Sequence, residues 1–230
     1  MELKIAVCQA KAFADADANL KKAEAQVAQA AKKKADVVCL QEMYRSPYFP
    51  QYGDPAGFDY AERVDGQSFK AFSKLARRHK MHIVAPIFEE RAPGLYYNSA
   101  IVLGPDGKLA GHYRKLHIPQ DAHSFSEKYF FAPGDLGYCL VDTKKARIGV
   151  LICWDQWYPE AARALALKGA QVLFYPTAIG WHKNEPDAVR QTQRNAWRIM
   201  HQSHAIANGV FVAAANRVGT EGNLTFWGSS

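Results

Sequence analysis

The sequence has no run of about 18 consecutive apolar residues of the kind that spans a bilayer. Its first ten residues, MELKIAVCQA, also lack the basic start and apolar core of a secretion signal. A soluble, cytoplasmic protein without a membrane partner is therefore expected. Cysteine is scarce: Cys8, Cys39, Cys139 and Cys153 stand far apart with no C-x-x-C pair. That spacing argues against a zinc knuckle or a disulfide framework and predicts reduced thiols. Acidic residues are fewer than basic ones, 22 against 29, giving a net charge of +7. Such an excess admits a non-catalytic basic module that holds nucleic acid. However, the one three-lysine run, Lys32 to Lys34, follows an Ala-rich helical stretch whose negative end cations complement. No nucleic-acid motif is present, so no nucleic-acid partner is expected.

What is there is a chain of 230 residues with 48% apolar content, enough to bury a substantial core. No repeat or linker divides it, and one domain over residues 1–230 is expected. LKIAVCQA reads as a strand, NLKKAEAQVAQAAKKK as an amphipathic helix and ADVVCLQE as a second strand. A helix near Ser68 to His79 and the strand HIVAPIFEE follow. YNSAIVLG and KLAGHYRK then form a hairpin about Pro105-Asp106-Gly107. Leu116 to about Gly137 is irregular. Beyond it come the strand RIGVLICW, the helix PEAARALALKGA, the strand QVLFYPTA, a helix from about Ala188 to Asn208, and GVFVAAANR. This alternation predicts an α/β layered fold with a mixed sheet or two packed sheets. The closing NLTFWG resembles the approach to another strand, which leaves room for a further C-terminal segment.

Four residues stand out as candidates for chemistry. Cys153 follows an apolar strand and precedes a helix, and the carboxyl ends of strands are where α/β sheets place ligands; alternatively it is a small buried hydrophobe. Glu42 ends ADVVCLQE, where burial would raise its pKa and make it a usable base; pairing with Arg45 is the structural alternative. Lys115 leaves its strand just before Pro119, placed to stabilise an oxyanion, or else it is a surface lysine beside Arg114. Glu127 lies among aromatic residues, where a carboxylate needs a partner such as Lys115. His201 and His204 have helical i, i+3 spacing. With no third ligand nearby, they read as helix-packing residues, and no metal or cofactor is expected.

Taken together, these contexts resemble the nitrilase superfamily of carbon–nitrogen hydrolases. Glu42 in LQE, Lys115 in YRKLHIP and Cys153 in LICWD match the family's catalytic triad, and Glu127 in EKYFFAPGD matches its second glutamate. PDGKLAGHYRK and NGVFVAAANRVG agree as well, so the likeness spans essentially the whole chain. The resemblance implies a four-layer αββα sandwich with mixed sheets that forms a homodimer or larger homo-oligomer. It also implies a cofactor-free enzyme acting on a small ureido or amide substrate.

Within the family, CWDQWYPEAARALALKGAQVLFYPTAIGW is similar to the N-carbamoylputrescine amidase subgroup, which releases putrescine, ammonia and carbon dioxide. Other amidases of the family, acting on carbamoyl amino acids or ω-amides, are the alternative. The subgroup likeness makes Tyr48 a pocket residue and the Trp154 N–H an oxyanion donor. A substrate amine calls for acid at the pocket end, for which Glu185 and Asp187 are candidates, with Trp181 as a wall. Two segments depart from the subgroup: MYRSPYFPQ, and the stretch after Gly180, where Trp181 to Asn184 precede Glu185-Pro186. The second departure predicts a displaced acidic clamp.

Overall fold

Apolar residues run without a break through Val37-Val38-Cys39-Leu40, the mark of a strand covered on both faces. The computed structural model, which describes residues 2–121 and 124–230, shows what covers them. The N-terminal half contains strand β1 (Ile5–Val7), helix α1 (Ala16–Lys32), β2 (Val37–Cys39), α2 (Gln67–His79), β3 (His82–Ala92), β4 (Leu95–Leu103) and β5 (Leu109–Arg114). Then come the short helix α3 (Glu127–Phe130), β6 (Cys139–Asp142), β7 (Arg147–Val150), α4 (Pro159–Leu167), β8 (Val172–Thr177) and β9 (Gly180–His182). Helix α5 (Asp187–Asn208), β10 (Phe211–Asn216), β11 (Val218–Glu221) and β12 (Leu224–Trp227) follow.

The first five strands form one sheet in the order β1-β2-β3-β4-β5, parallel across β1, β2 and β3 and antiparallel beyond. A second sheet runs β10-β8-β7-β6, parallel except for its β6–β7 edge, and a small antiparallel sheet β11-β12-β9 lies beside it. Because side chains alternate across a strand, Val37 and Cys39 enter a core shared with Ile148, Val150 and Val172 of the second sheet. Val38 and Leu40 instead meet Val27 of α1 and Phe72 of α2. Helix α1 presents Ala23, Val27 and Ala30 at helical spacing, and burial of one such valine is worth about 1.5–3 kcal/mol. Ala161, Ala162 and Leu165 of α4 cover the other side of the second sheet. The layers are thus helix, sheet, sheet, helix, the αββα sandwich with mixed sheets.

The two sheets approach closely at Gly111, where an added Cβ would lie 2.6 Å from Val141 and 2.8 Å from the Cys139 sulfur. The segment expected to be irregular carries α3, and β6 begins just beyond it. The apolar run RIGVLICW is strand only as far as Val150, because Cys153 turns the chain with φ 42°.

Candidate active site

Three strand ends converge on one point. Glu42 lies just past β2, Lys115 is the residue after β5, and Cys153 opens a short 3₁₀ turn (Cys153–Trp157) after β7. Glu127 is the first residue of α3. All four are buried, Glu42, Lys115 and Glu127 completely. The Lys115 Nζ donates to Glu42 Oε1 at 2.9 Å and to Glu127 Oε2 at 2.7 Å. Tyr48 donates its hydroxyl to Glu127 Oε1 at 2.7 Å, and Asn98 donates to Glu42 Oε1 at 2.7 Å. The second oxygen of Glu42 accepts from no described residue, which leaves it available as a base.

The charges set the protonation states. Burial works against the Lys115 ammonium, but the carboxylates of Glu127 and Glu42 outweigh it and hold the pKa above the ordinary lysine value. Burial pushes the Cys153 thiol well up, Glu42 and Glu127 add to that, and Lys115 and a hydrogen bond from the Ala178 backbone pull the other way. Burial and the two carboxylates thus favour the thiol form at rest, and use of Cys153 as a nucleophile would require a base. Burial likewise raises the Glu127 carboxyl, opposed by Lys115.

Cys153 and Trp154 open onto a cavity of about 660 Å³ that also receives Asp121, Trp157, Glu185 and Trp227. Glu185 is held by the His182 N–H at 3.1 Å and by Gln193 Nε2 at 2.8 Å. The departure at Trp181 to Asn184 thus does not remove acid from the pocket. Tyr48 is buried outside the cavity lining, against Glu127 and the rings of Phe125 and Phe226. Two further expected pocket residues also lie outside the lining. Asp187 is at the first turn of α5, with its side chain 88% exposed and paired to Arg190. Trp181 turns its Nε1 to the Arg190 carbonyl and packs on Trp227, which takes the wall position instead.

The sequence reading missed Asn98 and Arg217. Arg217 is fully buried and donates to the carbonyls of Met43 and Ser46, and to Glu221 at 3.0 Å. It thereby holds the turn after Glu42, where Met43 has φ 48°. An arginine directly after the apolar strand GVFVAAAN was the available signal. Glu42 does not pair with Arg45, which reaches Gln67 and Glu62 instead. His204 bonds the Gln156 carbonyl at 2.8 Å, and burial brings His201 down to about 3. Both rings pack against Tyr175. Among the described residues no helix is long and apolar enough to cross a membrane.

Comparison with known proteins identifies the family. A citrullinase of Francisella tularensis is 43% identical over 234 residues, covering 99% of this chain and 80% of the relative. An N-carbamoylputrescine amidase of Solanum lycopersicum is 42% identical over 236 residues, covering 98% and 77%. The crystal structure of a carbon–nitrogen hydrolase from Helicobacter pylori G27 superposes with a TM-score of 0.94 at 41% identity, covering 99% of this chain and 80% of that one. The carbon–nitrogen hydrolase family matches residues 4–230, and this chain belongs to that family, the nitrilase superfamily of amidohydrolases that act on non-peptide carbon–nitrogen bonds.

Proposed function

We propose that the protein hydrolyses the ureido group of N-carbamoylputrescine to putrescine, ammonia and carbon dioxide. One observation carries the choice of substrate: the cavity beside Cys153 is lined by Asp121 and Glu185, while no lysine or arginine is among its described lining residues. A distal ammonium suits that charge. Citrulline, which carries a carboxylate as well as an amine at the same end, would call for an arginine or lysine.

In this reading Glu42 takes the Cys153 proton through its open oxygen, and the thiolate attacks the ureido carbonyl. Lys115 and the Trp154 N–H receive the oxyanion. Glu42 returns the proton to the departing nitrogen, and the tetrahedral adduct collapses to ammonia and a carbamoyl thioester on Cys153. Glu42 then deprotonates water, which attacks the thioester and restores the thiol. The carbamate released loses carbon dioxide to leave putrescine. Glu127, bonded to Lys115 and Tyr48, keeps the Lys115 ammonium aimed at the developing oxyanion.

The test is ammonia release from N-carbamoylputrescine, citrulline and a short primary amide by wild type and Cys153→Ala. The reading expects kcat/KM highest for N-carbamoylputrescine and no turnover by the variant. Preference for citrulline would overturn the substrate, and full activity without Cys153 would overturn the nucleophile.

A further inference from the structure

Asp155 has no exposed surface and lies two residues beyond Cys153. It reaches outward in three directions. Its Oδ2 accepts from the Ile152 N–H at 2.9 Å, so the carboxylate bridges back across Cys153 to the residue before it. The same oxygen accepts the Tyr113 hydroxyl at 2.7 Å. Its Oδ1 meets the His117 backbone N–H at 3.1 Å and the His117 Nδ1 at 2.7 Å.

Tyr113 and His117 stand two residues before and two after Lys115. One carboxylate therefore spans the turn that carries Cys153 and grips the chain on both sides of Lys115. The turn it spans has Cys153 at φ 42°, a strained backbone state for a non-glycine residue that persists only where surroundings enforce it. The donors converging on Asp155 supply that enforcement. The imidazole of His117 is itself braced, stacked on Tyr158 with ring centres 3.7 Å apart and planes 7° from parallel.

We propose that Asp155, Tyr113 and His117 form a positioning unit that fixes the Cys153 turn against the Lys115 backbone and so sets the reach between nucleophile and oxyanion donor. None of the three need touch the substrate. The unit matters for rate because small misplacements of reacting groups are costly: a shift of about 1 Å lowers turnover by about 10²-fold. The inference rests on the reading of Cys153 and Lys115 as the reacting pair.

His117 is the member to change, since its side chain is 30% exposed and its loss leaves a smaller wound than loss of Asp155. Asparagine can place an N–H where Nδ1 stands, whereas leucine fills similar space with no donor. Wild type, His117→Leu, His117→Asn and Cys153→Ala are assayed on whichever of N-carbamoylputrescine, citrulline or butyramide wild type hydrolyses fastest, well below every unfolding midpoint. The expected result is a fall in kcat of about tenfold or more for His117→Leu with KM within about twofold, and recovery to within about threefold of wild type for His117→Asn. Wild-type kcat in His117→Leu, equal impairment of the two His117 variants, or a change confined to KM would each overturn the proposal. Activity in Cys153→Ala would instead overturn the reading beneath it, and that outcome is read without any His117 variant.

Discussion

The ammonium of Lys115 lies 2.7 Å from the Glu127 carboxylate, with neither side chain more than 1% exposed. The same nitrogen holds Glu42 at 2.9 Å, so one buried cation separates two buried carboxylates. Removing it leaves like charges facing each other out of water, and breaking a buried pair costs about 3–5 kcal/mol. Lys115→Met is expected to lose about 10²–10³ in kcat and to be destabilised. The sign of its pH dependence follows from Glu127, whose folded pKa already stands above the ordinary value and rises further without the lysine. A raised carboxyl costs stability once the pH exceeds its unfolded pKa. The deficit of the variant should therefore be larger at pH 8 than at pH 5 in denaturant titrations, and a deficit equal at both would contradict the arrangement.

The Cys153 thiol, pushed up first by burial and then by Glu42 and Glu127, stays protonated at neutral pH. Its alkylation by iodoacetamide, followed by mass spectrometry, should climb steadily from about pH 7 to 9, because the reactive species is the thiolate. A plateau reached below pH 7 would reveal a preformed thiolate. Glu42→Gln removes the base and is expected to cost about 10²–10⁴ in kcat, although it also removes a charge that disfavours the thiolate. Slower catalysis without slower alkylation is the signature of that double role.

Glu89 offers a stability probe away from the chemistry. Burial would raise its carboxyl, but hydrogen bonds from His112, Arg114 and Ser99 prevail and bring it from 4.5 down to about 2. A depressed carboxyl contributes stability that is present above about pH 4.5 and is lost as the pH falls through about 2. At roughly 1.4 kcal/mol per pH unit, the contribution is about 3 kcal/mol. Wild type should lead Glu89→Gln clearly at pH 7 in urea unfolding, and the lead should shrink by pH 3.

The parts of the fold that could be read from the sequence are those marked by a helical period or by a long apolar run. Helix α1 shows its spacing over 17 residues, and strands β3 and β4 show unbroken buried runs within elements of nine residues or more. β9, β11 and α3 hold three or four residues, too few for any pattern. The Cys153 turn was hidden inside an apolar run, since hydrophobicity does not encode a positive φ. Glu42, Lys115 and Cys153 stood out because polar or reactive groups interrupt strand ends. Asn98 meets Glu42 from 56 residues away, and Arg217 reaches the Met43 carbonyl from 174 away. Only the assembled sandwich makes such pairs visible. Trp181 and Trp227 show the same limit: both are aromatic and adjacent in space, and packing alone decides which faces the cavity.

Glu185 and Asp187 provide the sharpest contrast for substrate recognition. They stand two residues apart, yet Glu185 lines the cavity, fixed by Gln193 and His182, while Asp187 lies outside with Arg190. If Glu185 receives the distal ammonium, Glu185→Gln should raise KM for N-carbamoylputrescine by about tenfold to a hundredfold, since a charge-assisted hydrogen bond is worth about 1.5–3 kcal/mol. Its kcat should change little, because the contact is made equally in ground and transition states. A neutral amide of similar length has no ammonium to lose and should bind the variant as it binds wild type. Asp187→Asn should leave both parameters unchanged on either substrate. Equal KM increases for the charged and neutral substrates would assign Glu185 to the shape of the pocket and leave the amine without its partner.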